Sequence, residues 1–373
     1  MNKLVRAVLV FICLMLFAVL ATNAADDERI EKVRLMAAGD IIFHLPQIAN
    51  AYNQDTGEYD FSQCFAKVKK HFEKADIVAG NLEGTFCEER LPLSGYPLFN
   101  APNSALDAIK DAGFNVLSTC NNHSLDSGSE GVAATIDKLK ARGIAHFGTS
   151  KNGEANYLIL EVNNITIGFL GYSFYFNGFE YSYSEERLAS LVNTLDASLI
   201  ENDIKRLKLL GADVVVVYPH WGVEYDMSAD ESQRSLAASM VKWGADVILG
   251  SHPHVLQETQ ILQRGGKDKF VIYSMGNFIS NQRYETLGKL DVETGVVIDI
   301  IFSKNMKTGD TLIESVDSHI IWVNRFSENN KRHYEVVFAE DFEIGGELRS
   351  TVNAETLERI LNAMKRGNNL LYP

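Results

Sequence analysis

The sequence predicts an α/β fold, one large domain with a β-rich C-terminal extension. Three observations carry that expectation. Strand-like and helix-like stretches alternate from Val33 onward, the pattern of a sheet covered by helices. Asp213-Val214-Val215-Val216-Val217-Tyr218 is a continuous β-branched run, which marks a strand buried on both faces. Beyond about residue 290 the helical periodicity gives way to apolar runs of strand length.

The elements follow in order. Val33 to Ala38 reads as a strand stopping at Gly39-Asp40, and Asp76 to Ala79 as a short strand stopping at Gly80-Asn81. Ser104 to Ala112 reads as a helix closed by Gly113, because glycine tolerates the left-handed C-terminal position. Phe114 to Ser118 is the next strand, ending near Asn121-Asn122-His123. Gly131 to Arg142 is amphipathic, with Val132, Ile136 and Leu139 on one face and Gly143 as its stop. Tyr157 to Val162 and Ile165 to Leu170 flank Asn163-Asn164, a hairpin turn. Asp196 to Leu210 and Glu231 to Gly244 read as helices, and Ala245 to Gly250 as a buried strand leading into Ser251. Lys269 to Ser274 runs as a strand into Met275-Gly276-Asn277-Phe278. Gly295 to Phe302, Ser315 to Val323 and His333 to Phe338 read as meandering strands, and Ala354 to Lys365 as a final helix. Residues 33–302 are expected to form the main domain and 303–373 the extension.

The N-terminus reads as a targeting segment. Lys3 and Arg6 precede the apolar run Ala7 to Ala21, and Thr22-Asn23-Ala24-Ala25 offers small residues for cleavage. Residues 1–25 are therefore expected to be a signal peptide, with an uncleaved membrane anchor as the alternative. Either way the body of the protein is exported, to the periplasm, the cell surface or the medium. The three cysteines beyond that segment, Cys64, Cys87 and Cys120, form no complete disulfide framework. A formal charge of −14 argues against a nucleic-acid partner, which needs basic surface. It also implies that any anionic substrate is met by local positive charge.

Polar residues recur where the strands stop: Asp40, then Asn81 and Glu83, Asn122 and His123, His220, His252 and His254, and Asn277. Strand ends on one edge of a sheet converge, so residues far apart in sequence are expected to share a site. Ser251-His252-Pro253-His254 is the most informative piece, since two imidazoles two residues apart at a strand end are natural metal ligands. Carboxylates, an amide and imidazoles suit one or two borderline or hard divalent ions such as Zn, Mn or Fe(II). Such ions activate water as a nucleophile. Taken singly, each residue also has a plainer role. Asp40 and Asn122 suit turns, Asn277 suits a turn after Gly276, and His220 beside Trp221 suits a packed core histidine. Asp126 either orients His123 or caps the next helix. Gly-x-Ser-x-Gly, P-loop and dinucleotide fingerprints are absent from the sequence.

Six motifs in order carry a resemblance. They are Gly39-Asp40, Gly80-Asn81-Leu82-Glu83, Asn121-Asn122-His123-Ser124-Leu125-Asp126, His220-Trp221-Gly222-Val223-Glu224-Tyr225, Gly250-Ser251-His252-Pro253-His254 and Tyr273-Ser274-Met275-Gly276-Asn277-Phe278. The chain resembles the CapA family of capsule and poly-γ-glutamate biosynthesis proteins, itself similar to calcineurin-like metallophosphoesterases. The resemblance implies a four-layer α/β/β/α sandwich. It implies Asp40, Glu83, Asn122, His220, His252 and His254 as metal ligands. It implies His123 as the catalytic acid, with Asp126 behind it, and Asn81, Trp221, Glu224 and Asn277 on the substrate side. The pattern departs at two positions: Ile42 stands where metallophosphoesterases have a histidine, with His44 nearby at a different spacing, and Asn81 stands where they have a bridging aspartate.

The function so implied is a metal-dependent hydrolase in capsule or poly-γ-glutamate biosynthesis. Its partner would be an anionic extracellular polymer or a phosphoester, within an envelope polymer-synthesis or export complex. A non-catalytic polymer-binding or export-assembly subunit is the alternative, as is a periplasmic phosphoesterase unrelated to capsule.

Overall fold

The computed structural model describes residues 29–151, 153–328 and 331–372. The expected signal segment lies outside them. Among the described residues no helix is long and apolar enough to cross a membrane.

The strands, in chain order, are β1 (Ile30–Ile41), β2 (Ile77–Leu82), β3 (Val116–Ser118), β4 (Ala145–Phe147), β5 (Leu158–Val162), β6 (Ile165–Ser173), β7 (Val214–His220), β8 (Val247–Leu249), β9 (Thr259–Arg264), β10 (Lys267–Ile272), β11 (Asn277–Ile279), β12 (Thr294–Asn305), β13 (Thr311–Glu328) and β14 (Lys331–Phe338). They form two sheets. The first runs β14-β13-β12-β1-β2-β3-β4, with β11 also pairing β1; the second runs β5-β6-β7-β8-β10-β9. β1 to β4 are mutually parallel, and so are β6, β7, β8 and β10.

Side chains alternate across a strand, and the alternation builds the layers. Leu35 and Ala37 of β1 face Val216 and Tyr218 of β7 in a core between the sheets. Met36 and Ala38 point the other way, against Phe65, Phe72, Leu106 and Ile109 on helical segments. On the far side, Val215 and Val217 pack against Ile200, Ile204 and Leu207 of one helix and Ala237, Met240 and Val241 of another. The order is therefore helix, sheet, sheet, helix, as the family resemblance implies. The valine run of β7 is buried on both faces, and each such side chain contributes roughly 1.5–3 kcal/mol by leaving water.

Helix ends follow their sequence cues. The helix Ser104–Ala112 stops at Gly113, which takes φ 117° and returns its N–H to the Ile109 and Lys110 carbonyls. Asp196 and Asp230 cap the helices Ala197–Leu209 and Glu231–Trp243. Asn163 and Asn164 take φ 49° and 60°, closing the β5–β6 hairpin. The helix expected from Gly131 begins at Gly128, and the last helix continues past Lys365 to Leu371. Beyond residue 302 the chain is β-rich as expected; β13 and β14 extend the first sheet, and the final helix sends Ile360, Ala363 and Leu371 into the inter-sheet core. Cys64, Cys87 and Cys120 are free and buried.

Candidate functional site

Strand register sets the site. Asp40 lies abreast of Asn81 on β2 and Asn277 on β11, and Asn81 abreast of Ser118 on β3. On the second sheet His220 ends β7 and bridges Ser251, just beyond β8. The carboxyl ends of both parallel runs thus meet at one edge, where α/β sheets bind ligands. Gly39 permits the approach of β1 to the 275–277 segment: a Cβ there would lie 1.9 Å from the Gly276 carbonyl oxygen.

His252 and His254 take φ 96° and 59°, in the left-handed region that L-residues rarely adopt. Such strain costs about 1–3 kcal/mol per residue and persists only where surroundings enforce it. Here the Pro253 carbonyl accepts the Tyr225 N–H at 2.8 Å.

The buried groups then interlock. His254 Nδ1 lies 3.0 Å from Asp40 Oδ2, and Asn81 Nδ2 donates to Asp40 Oδ1 at 2.8 Å and to Glu83 Oε2 at 3.3 Å. Asn81 Oδ1 accepts from Asn121 at 3.1 Å, which fixes the orientation of the amide. His220 Nδ1 meets Ser251 Oγ at 2.9 Å, while its Nε2 lies 2.9 Å from Asn122 Oδ1 and 3.2 Å from His252 Nδ1. Glu83 Oε1 is buried without a hydrogen-bond partner, 3.8 Å from His220 Nε2 and 3.7 Å from His254 Nε2. Two groups have donor atoms within 4.8 Å of one another: Asp40, Glu83 and His220, and Glu224, His252 and His254.

The electrostatics are unbalanced. Burial, and then the neighbouring Asp40, push the Glu83 carboxyl well above its ordinary range. Burial drives His220 well below its ordinary value and His252 down to about 3, with neighbouring imidazoles adding to both. For His254 burial is outweighed by Glu83 and Asp40, and it rises to about 9. A buried acid that cannot ionise comfortably, beside two imidazoles pushed away from protonation and a third that takes its proton only by facing carboxylates, is what a divalent cation relieves. The unpartnered Glu83 oxygen, the imidazoles and the carboxylates fit such an ion in donor type and spacing.

His123 Nδ1 lies 2.7 Å from Asp126 Oδ2. The same oxygen accepts the Phe99 N–H at 2.6 Å. Asp126 is therefore an orienter of His123; the next helix takes Ser127 as its N-cap, without a side-chain cap bond.

Several expected residues fall elsewhere. Trp221 is buried in the outer core of the second sheet, where its Nε1 donates to the Tyr273 carbonyl at 2.9 Å; packing against Tyr273 removes it from the substrate side. Asn277 is fully buried and its amide N–H groups go to the His254 and Val292 carbonyls and to Gln282, so it holds loops together. Asn81 ties Asp40 to Glu83 from within the cluster. Glu224, expected near substrate, stands exposed beside His252 and His254 as a candidate ligand. Ile42 belongs to the core. His44 caps the helix Leu45–Ala51, receives the Asn281 N–H at 3.2 Å, and is lowered to about 4 by burial. The sequence reading missed Tyr175 and Asn177, which follow β6. The Tyr175 hydroxyl lies 3.5 Å from His252 Nε2, and Asn177 Oδ1 accepts from Asn122 at 3.3 Å.

Comparison with known proteins supplies the wider context. The model of the bacterial capsule synthesis protein PGA_cap family matches residues 34–282. The chain is 32% identical over 267 residues to the capsule biosynthesis protein CapA of Bacillus anthracis, a match covering 68% of this chain and 61% of the relative. It is 30% identical over 228 residues to the PGA biosynthesis protein CapA of Bacillus subtilis (strain 168), covering 58% and 57%. The matches thus span about three-fifths of each relative's length. Among solved structures, the calcineurin-like phosphoesterase YfkN from Bacillus subtilis is similar at 15% identity and TM-score 0.43, over 91% of this chain and 98% of that one.

Proposed function

The chain belongs to the bacterial capsule synthesis protein family, and from that premise we propose that it is an exported, metal-dependent hydrolase in capsule or poly-γ-glutamate biosynthesis. The observation that carries the metal is Glu83 Oε1, a buried carboxylate oxygen left without a partner between two imidazoles. Asp40, Glu83 and His220 would hold one ion, and Glu224, His252 and His254 a second. The chemistry an ion supplies there is Lewis-acid activation of water and offset of negative charge on the substrate. The bond cleaved would be a phosphoester or amide-like bond of an anionic envelope polymer.

The protein's own groups do the rest. Asp126 holds the Nδ1 side of His123, which leaves Nε2 to hold a proton or deliver it to the leaving atom, oxygen for a phosphoester or nitrogen for an amide-like bond. Ser251 fixes the Nδ1 side of His220. Asn81 keeps Asp40 and Glu83 at a set spacing. A second reading, a non-catalytic subunit of a polymer-export assembly, is favoured by Asn81 standing where a bridging aspartate would carry charge.

Turnover separates the two. The metal-loaded protein is expected to cleave a phosphodiester such as bis(p-nitrophenyl) phosphate or to shorten poly-γ-glutamate. His123→Asn should lower the rate by about two orders of magnitude with metal content unchanged. Wild-type protein that holds metal yet cleaves neither substrate would leave the export-subunit reading standing.

A further inference from the structure

We infer that Tyr175 is a further substrate-binding residue, its hydroxyl donating to an oxygen of a tetrahedral oxyanion bound at the site. This rests on the proposed reading of the site as one that holds divalent metal beside an anionic substrate.

The loop after β6 is built to aim this side chain. Phe174 N–H donates to the His220 carbonyl at 3.1 Å, and Ser173 Oγ donates to the Tyr175 carbonyl at 2.8 Å. Phe176 is buried at 1% exposure among Leu125, Val132 and Val192, and anchors the other side of the loop. Asn177 and Gly178 then turn with φ 54° and 86°. Asparagine and glycine both suit that region, so the pair forms the turn; Tyr225, His252 and His254 in the same site adopt it as well. Asn177 in turn touches both Asn122 and His123.

Within that frame the Tyr175 ring stands edge-on to His252, with centroids 5.6 Å apart. Its hydroxyl lies 3.5 Å from His252 Nε2. At 3.5 Å that contact is at the limit of a hydrogen bond, so a closer acceptor oxygen can take its place. The residue is half-buried, with its ring against the candidate ligand His252. A tyrosine hydroxyl is uncharged near neutral pH and can donate its proton to an acceptor oxygen. A neutral donor suits a site already crowded with carboxylates, because it binds an anionic oxygen without adding charge that competes for Asp40 or Glu83.

The probe is inorganic phosphate, titrated calorimetrically into manganese-loaded wild-type protein and Tyr175→Phe, with metal content and melting temperature measured for both. The expected result is about tenfold weaker phosphate binding by the variant, since a hydrogen bond to a charged acceptor is lost. Metal content and stability should be unchanged. Equal phosphate affinity, loss of metal from the variant, or no phosphate binding by metal-loaded wild-type protein would each overturn the inference. Wild-type protein that takes up no manganese, zinc or iron would instead remove the metal reading on which it rests.

Discussion

Asp291, Glu293 and Asp299, on the C-terminal part of the chain, are buried carboxylates that each face a guanidinium; Asp40 and Glu83, at the strand ends, are buried carboxylates that face imidazoles and an amide. Arg283 Nε lies 3.0 Å from Glu293, with the two side chains 2% and 3% exposed, and Arg359 reaches the same carboxylate at 2.9 Å. Arg34 holds Asp299, and Arg366 holds Asp291. The first group is balanced within the chain. In the second, of His220, His252 and His254 only His254 favours a proton, one positive charge against two carboxylates, and a bound cation would supply the rest. The difference separates carboxylates that maintain the fold from carboxylates that keep a site ready.

If that contrast is right, neutralising one carboxylate in each group should have opposite effects on stability. Glu293→Gln leaves Arg283 buried without its nearest carboxylate and should destabilise by about 3 kcal/mol in urea unfolding, with metal content unchanged. A loss well under 1 kcal/mol would break the comparison on its structural side.

Next in size is the effect of the imidazoles on metal. His252→Ala or His254→Ala should weaken metal affinity by about 10- to 100-fold while the circular dichroism spectrum and melting temperature stay near wild type. Affinity should also depend on pH. In the empty cluster His254 keeps its proton up to about 9, and a ligating imidazole must lose it. Metal affinity should therefore rise with pH until about 9 and level off, with proton release visible as a buffer-dependent heat. No buffer dependence between pH 7 and 9 would contradict the charge assignment.

A smaller effect, of opposite sign to the first, is expected at Glu83. Glu83→Gln removes an unbalanced carboxylate and should stabilise the metal-free protein by about 1 kcal/mol, while weakening metal binding. Destabilisation comparable to that of Glu293→Gln would merge the two groups.

The smallest effect is at His319, raised to about 9 by Asp299, 3.7 Å from its Nε2, and by the hydrogen bond between its Nδ1 and Glu340. A folded-state value above the unfolded 6.5 adds stability that is full below about 6.5 and lost as pH rises through 9. The pair is partly solvated, so a His319→Gln deficit of under about 1 kcal/mol is expected at pH 6, vanishing by pH 10.

Much of this was legible in the sequence, for definable reasons. Strands β1, β7 and β12 carry long apolar or β-branched runs, and the helix ends carry Asp196, Asp230 and Gly113, so local chemistry announces them. Strand β4 has three residues, and β9 is an edge strand of mostly polar, exposed residues, so neither offers a period to read. The metal-type residues announced themselves because Asp40 sits at the end of a strand and His252 and His254 follow closely on one. Roles that depend on what lies across the site did not. Trp221 adjoins His220 in sequence yet lies just past the end of β7, and its side chain turns into the outer core, where its Nε1 meets the Tyr273 carbonyl. Tyr175 lies in Phe174-Tyr175-Phe176, which reads as apolar loop, and only the pairing of β6 with β7 brings it beside His252. Asn81 shows its role only when its amide is found between two carboxylates.

The central claim, that the strand-end carboxylates are balanced by a bound cation, is tested most directly by the metal content of purified protein residues 26–373. The account predicts one or two divalent ions per chain, with the Asp40→Asn, Glu83→Gln double variant reduced to one or none. Metal-free wild-type protein that stays metal-free after dialysis against manganese, zinc or iron(II) would contradict it.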